Sequence, residues 1–287
     1  MRPPCNPGSA DLLSARCAPA TTSWAGPANP LKPPRIPHAS ETQRQHAHIQ
    51  HPTPIDLAIN LPVSAIEVVA GDRADTVVTV SATNPAKAVD CRGAEETKVD
   101  FDGERLTITG PKPRMSWIGP TESVDLKIKL RTGSRLTAEI SVGGLRTIGA
   151  LGATRIRNSM GLVDIDTTGD LWLSAGRGNA TVGTAGGGIE ITVDHGQIRV
   201  GTVIGDALLK ALHGSIAVGE SGDDLDMKLS YGDLEIARAL ASVSAKTAYA
   251  ASSCARFRTG PCRSRAASAR SPLASSPLFR PGLTCRS

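Results

Sequence analysis

Aromatic residues are scarce in this sequence: Phe, Trp and Tyr together supply 3% of its 287 residues. A core of large packed rings is excluded, so the interior must be built from Val, Ile, Leu and Ala, which suits thin stacked layers. Long apolar runs are missing too. No stretch approaches the roughly 18 apolar residues that announce a membrane-spanning helix. The opening MRPPCNPGSADLLSARCAPA lacks the continuous apolar segment of a secretory signal. These absences lead to the expectation of a cytoplasmic chain without a membrane span. Cysteine is nearly absent from the middle of the chain. Cys5, Cys17, Cys254, Cys262 and Cys285 lie toward the ends and only Cys91 lies between them, so no disulfide framework staples the fold.

Acidic residues are missing from one end. Residues 251–287 carry seven Arg and no acid, and residues 1–52 carry five Lys or Arg against two acids. Residues 53–250 hold 20 basic and 25 acidic side chains, so the formal charge of +5 belongs to the ends. The middle of the chain shows no electrostatic footprint for phosphate, and no nucleic-acid partner is expected.

What is present is periodic glycine. Between Ser134 and Tyr249 a unit of about 18 residues recurs: a short alternating run, a glycine, a second alternating run and a corner rich in Gly or Asp. Gly144, Gly161, Gly178, Gly196, Gly214 and Gly232 fall 17, 17, 18, 18 and 18 residues apart. A fixed period this short means a solenoid. The alternation points Leu171, Leu173 and Ala175 inward, then Ala180 and Val182. The next units do the same with Ile189, Ile191, Val193, Ile198 and Val200, and with Leu225, Met227, Leu229, Leu234 and Ile236. One such coil cannot stand alone, and stacking on its neighbours supplies the rest of its burial.

Upstream, residues 55–110 alternate in short runs rich in β-branched residues, separated by GDRAD, TNPAK and DGE. Asp102-Gly103 reads as a hairpin turn and Val124–Leu130 as a further strand. The fold class expected is all-β: a β-solenoid or β-helix-like repeat of about 18 residues per coil behind an N-terminal β-sandwich-like cap. The expected divisions are a Pro/Ser/His-rich disordered extension over 1–52, the cap over 53–133, solenoid repeats over 134–250 and a basic disordered tail over 251–287.

Both ends read as departures from the natural frame. One base over, codons available to His46–His51 spell MHTFN, a start just ahead of residue 53, so the extension is expected to be non-native. After Tyr249 the period stops. Restoring one lost base near Ala250 permits RIQLREVSNGSVQVESGFGQVTVGV for residues 251–275, in which SGFGQVTVG echoes the run from Asp194 to Gly201. The tail is therefore expected to be out of frame, replacing at least one further coil.

Four groups of residues invite a chemical reading. The residues before the repeat glycines, Arg177, His195, His213, Tyr231 and Tyr249, form a column, with Asp194 adjacent. Two stacked histidines could share a metal, but a zinc site needs three or four convergent ligands, and a ladder covering a turn is the simpler reading. Asp170, Asp206 and Asp223 follow glycine at the corners, and residues 222–226 are locally acidic. Without the GGxGxDxUx nonapeptide of calcium-binding β-rolls, turn chemistry is preferred to calcium. Gly186-Gly187-Gly188 lacks the Lys-Ser/Thr of a phosphate-binding loop and reads as a tight corner. Cys91 has no evident catalytic partner. No catalytic, cofactor-binding or metal residue is assigned, and no cofactor is expected.

The Pro-Ile-Asp-Leu opening at residues 54–57, the strand-rich first third, and the units DHGQIRVG, LHGSIAVG and SYGDLEIA together resemble the bacterial putative-adhesin family. That family is a domain of unknown function made of β-strand repeats, and the resemblance covers roughly residues 52–249. It implies a β-solenoid fold and a non-enzymatic adhesion or binding role, and it supplies no catalytic residues. The departure after Tyr249 marks a truncated member. Three functions follow as expectations. The first is an interaction or scaffold protein whose solenoid faces meet an unknown protein. The second is a bactofilin-like scaffold that self-associates through its solenoid ends. The weakest is a polysaccharide-active β-helix enzyme, since Trp117 and Trp172 are the only tryptophans of the middle region.

Overall fold

The computed structural model describes residues 44–51, 53–111, 122–254, 262–266 and 284–285. In chain order its elements are β1 (Arg44–Gln50), β2 (Asp56–Gly71), β3 (Asp75–Ala82), α1 (Ala88–Glu96), β4 (Lys98–Phe101), β5 (Arg105–Thr109), β6 (Val124–Arg131), β7 (Arg135–Ala150), β8 (Thr154–Met160), β9 (Val163–Thr168), β10 (Leu171–Arg177), β11 (Ala180–Ala185), β12 (Ile189–Val203), β13 (Ala207–Ser221), β14 (Leu225–Ala239), β15 (Val243–Cys254), β16 (Cys262–Ala266) and β17 (Thr284–Cys285). Among the described residues no helix is long and apolar enough to cross a membrane.

From β7 onward every coil pairs in parallel with the next, which makes the fold a β-solenoid. Strand β7 pairs with β8 and β9, these with β10 and β11, and the stack continues through β12, β13, β14 and β15. In one inward column Ile189 sits over Ala207, Leu225 and Val243, each 4% exposed or less. Alternation fixes this because successive strand side chains point to opposite faces. Every inward position read from the three sequence units is buried.

Midway round each coil the chain bends at a glycine. Gly143, Gly161, Gly178, Gly196, Gly214 and Gly232 all have φ between 133° and 149°. A Cβ on any of them would fall 1.6 to 1.8 Å from a carbonyl oxygen of the preceding layer. The column therefore starts at Gly143, and Gly144 lies one place beyond the bend, where a Cβ would stand 3.7 Å from its nearest neighbour. Repeat counting alone chose the wrong member of that Gly-Gly pair, because both fit a period of 17 or 18. The register continues Gly232 to Ala250, making position 250 the first below the column to hold a residue other than glycine. That is also where the sequence departs from its period.

The N-terminal region is more deeply woven into the stack than a separate cap. Strand β2 pairs in parallel with β7 on one side and with β5 and β6 on the other. In space β5 with β6 makes the first layer, β2 the second and β7 the third, so parallel stacking extends upstream of Ser134. Antiparallel strands close this end: β3 on β6, β1 on β3 and β4 on β5. Residues 44–51 thus form a strand and its exit, where composition predicted disorder. Ala47 and Ile49 pack on the core, and His51 is buried, with its Nε2 2.5 Å from the Thr76 hydroxyl and its Nδ1 2.7 Å from the Thr53 carbonyl oxygen. Two small apolar contacts and one histidine are too weak a pattern to read in advance. At the other end β16 pairs with Val243–Thr247 and β17 with Ser253 and Cys254. The remaining residues of the expected tail, and residues 1–43, lie outside the described residues.

Strand β1 is held by Asp75. Its carboxylate takes two hydrogen bonds from Arg73, at 2.9 and 2.8 Å, and lies 2.8 Å from His48 Nε2 of β1. The Arg73 hydrogen bonds, helped by His48, lower its pKa from 3.8 to about 2. A lowered folded pKa stabilises above the unfolded value and is lost as pH falls from 3.8 through about 2. Amide exchange in β1 should therefore accelerate across that interval, and Arg73→Ala should move the onset to higher pH; an exchange profile that ignores pH there would contradict it. The bend makes a second prediction. Gly214→Ala should destabilise by about 3 kcal/mol or more, while Gly144→Ala stays nearly neutral, as read by urea unfolding.

Candidate functional site

The bend glycines carry a column of exposed side chains immediately before them. In register these are Val142, Met160, Arg177, His195, His213 and Tyr231, and the backbone register continues to Tyr249. Parallel in-register stacking places like positions about 4.8 Å apart, which is a ring-stacking distance. His195 and His213 stack at 4.9 Å with planes 4° apart, and His213 and Tyr231 at 4.8 Å and 12°. The imidazole faces are thus turned toward neighbouring rings. Leu162 follows Gly161 on the same edge, and Leu212 precedes His213. Among the described residues seven large hydrophobics are exposed, and five of them, Val142, Met160, Leu162, Leu212 and Tyr231, lie on this bend edge.

Beside the edge runs a second outward column: Glu139, Arg157, Ser174, Thr192, Lys210, Lys228 and Lys246. Its C-terminal half forms one wall of an open groove of about 740 Å³ that also includes Asp194, Leu212 and Ser230. Lys210 Nζ lies 2.9 Å from Glu190, and Lys228 Nζ 3.9 Å from Asp226, both acids belonging to the next column over.

The other residues singled out in the sequence have structural surroundings. Asp194 lines the groove next to the ladder, and the described residues contain no group of three or more His, Cys, Asp or Glu side chains placed to hold a metal ion. The corner aspartates act on the coil beside them: the carbonyls of Asp170, Asp206 and Asp224 accept hydrogen bonds from Thr154, Ile189 and Ala207 at 2.8, 2.8 and 2.9 Å. Asp170 Oδ1 also accepts from the Gly188 amide at 3.0 Å, and Ser242 donates to the Asp224 carboxylate. The stacked residue is therefore Asp224, not Asp223, whose carbonyl instead accepts the Ser221 hydroxyl. Gly186-Gly187-Gly188 forms the corner itself: a Cβ on Gly187 would meet the Asp170 carboxylate at 2.1 Å. Cys91 is buried in α1 with its thiol donating to the Pro85 carbonyl at 3.4 Å. Trp172 has the Arg155 guanidinium 4.5 Å over its ring, and Trp117 lies outside the described residues. The lysine column has the same 18-residue spacing as the ring ladder, but single outward lysines belong to no chemical motif and so gave the sequence reading no reason to join them.

The sequence matches no protein-family model and no curated protein. Among solved structures the chain is similar to a putative adhesin from Parabacteroides merdae ATCC 43184, at 10% identity over 79% of this chain and 93% of that one, with a TM-score of 0.34. It is also similar to a putative lipid binding protein from Parabacteroides distasonis ATCC 8503, at 11% identity over 79% and 93%, TM-score 0.31. A third is a putative adhesin from Bacteroides fragilis NCTC 9343, at 11% identity over 78% and 92%, TM-score 0.29. Two of these three bear the designation that the sequence pattern resembles.

If the ring ladder is a structural brace, its members should contribute by the number of rings they touch. His213→Ala removes two ring contacts and His195→Ala one, so the first should cost about twice the second, at roughly 0.5–1.5 kcal/mol per contact. Zinc should leave the melting temperature of the unmodified chain unchanged; a zinc-dependent rise abolished by His195→Ala would show a metal site instead.

Proposed function

We propose that this chain is a non-enzymatic interaction module that meets its partner along the bend edge of the solenoid. The observation that carries this reading is the gathering of five exposed large hydrophobics, Val142, Met160, Leu162, Leu212 and Tyr231, on one edge. Scattered exposed hydrophobics need no explanation, whereas here Val142, Met160 and Leu162 adjoin in neighbouring coils and Leu212 and Tyr231 follow along the same edge beyond Arg177 and His195, which gathers apolar and polar groups on one line. A rigid ladder also suits binding, because side chains held by stacking lose little further freedom on contact.

Two other readings have less support. A polysaccharide-active enzyme needs convergent carboxylates beside a free aromatic platform, but Asp170 and Asp224 hold corners and Trp172 is covered by Arg155. A head-to-tail filament needs two open ends. The antiparallel strands β1, β3 and β4 occupy the N-terminal end, where they cannot continue a parallel stack. The experiment is a comparative capture from a cell extract with the full chain. Met160→Asp with Leu162→Asp should lose the captured partner, while Ile204→Asp, at the opposite corner, should retain it. Equal capture by both variants would refute the bend-edge reading.

A further inference from the structure

The lysine column is answered from within the molecule: Glu190 and Asp226 pair with Lys210 and Lys228, and Asp194 lines the same groove. The pocket around Arg105, Arg135 and Trp172 is likewise spent on internal contacts, with Arg135 3.8 Å from Asp56 and Arg155 over the Trp172 ring. The N-terminal end is different, because there the structure itself shows what fits. Strand β1 pairs with β3 and with no other described strand, antiparallel, from Arg44 against Ser81 to Gln50 against Asp75. This site does not depend on the bend-edge reading.

The two strands of this pair are secured unequally. Strand β3 buries every second residue, Thr76, Val78, Val80 and Ala82. Among residues 46–50 of β1 no side chain is buried. Ala47 and Ile49, opposite Val78 and Thr76, pack on the core only partly covered. The polar ties lie on the outer face, with His46 3.2 Å from the Thr79 hydroxyl and His48 2.8 Å from the Asp75 carboxylate. Exposed ties of this kind are weak, so β1 is held chiefly by the backbone hydrogen bonds of its ladder. Those bonds require an extended chain of the right alternation, and they do not require that it belong to the same molecule. A strand with few buried side chains opens locally at a fraction of the cost of global unfolding. The row of amides and carbonyls that it then uncovers on β3 is a ready template for another strand.

We propose that β3 is a strand-accepting edge, and that residues 44–51 of a second copy take the place of the chain's own in a reciprocal exchange. An incoming strand must set a small and then a branched apolar side chain at the positions of Ala47 and Ile49, and a hydrogen-bonding group at the position of His48 to meet Asp75. Its end must also carry a group that fills the buried place beside the Thr76 hydroxyl, as His51 does. The segment from a second copy meets all of these requirements, since it is the sequence that the structure shows in the site. Residues 52–55 form the joint, where Pro52 and Pro54 bias the residues before them toward extended backbone and so favour an outstretched connection. Every contact that β1 makes within one chain is remade between two, so the exchange closes a two-fold dimer in which each copy completes the other's edge.

The test uses the full chain and a fluorescein-labelled peptide of residues 44–51. Ile49→Asp in the chain weakens the resident strand and leaves the accepting edge unchanged. The peptide should therefore bind this variant saturably, about tenfold or more tighter than it binds the unmodified chain, whose own strand competes. Ile49→Asp in the peptide should abolish binding, and a cooperative urea transition should show that the variant chain is folded. In sedimentation the unmodified chain should dimerise as its concentration rises, Ile49→Asp should not, and excess peptide should return the dimer to monomer. Met160→Asp with Leu162→Asp should leave dimerisation intact, which separates this site from the bend edge. A folded Ile49→Asp chain that ignores the peptide, or a dimer that neither Ile49→Asp nor the peptide disturbs, would overturn the proposal. Peptide binding by a chain that stays monomeric at every concentration would overturn the second copy as occupant, in favour of an extended segment of another protein.

Discussion

Each bend glycine is pressed against a carbonyl of the layer before it, and the regular stack depends on that contact. Within the glycine column the carbonyl oxygen of one member lies where the next member's Cβ would be, at 1.6 to 1.8 Å. Only a residue without a Cβ lets successive coils close to strand-pairing distance while turning through positive φ. A second close approach, at Gly183, Gly201 and Gly219 on the other half of the coil, repeats the demand at 2.4 to 2.5 Å. The bend contact, joined by this second one in the coils of Gly183, Gly201 and Gly219, holds the register, and everything on the outside inherits it.

That inheritance turns single residues into arrays. Once coils stack in register, whatever stands before the bend glycine becomes a ladder, and whatever stands three residues earlier still, in the same strand, joins another. The imidazoles of His195 and His213 stack because of their backbone register, with no local motif. Lys210, Lys228 and Lys246 form a line of charge for the same reason. Binding by such a surface is a matter of many weak, evenly spaced contacts, so it favours long or flat partners over small ones.

The two ends of the stack are handled differently. At the N-terminal end the chain leaves β2, builds the antiparallel strands and α1, and returns through β5 and β6 before passing on to β7. This threading places β2 between layers that follow it in sequence, tying the closing strands into the solenoid by long-range pairing. Toward the C-terminus the parallel ladder is carried on by the backbones of β16 and β17.

The sequence by itself determined the period, the inward set and the need for glycine at each bend. Those are local properties: alternation follows from the two-residue repeat of a strand, and positive φ follows from the absence of a Cβ. The tight corner at Gly186-Gly187-Gly188 was legible as well, since turn chemistry is local too. Only the tertiary structure decided which residues share a column. It chose Gly143 over Gly144 and Asp224 over Asp223, ordered residues 44–51 into a strand, and drew β2 into the stack. It also aligned Lys210, Lys228 and Lys246 in one column, with Glu190 and Asp226 paired to the first two from the column beside it. Each of these depends on pairing between segments 17 or more residues apart. A shift of one residue between coils is invisible to periodicity and is settled only by which backbone groups meet across the layers.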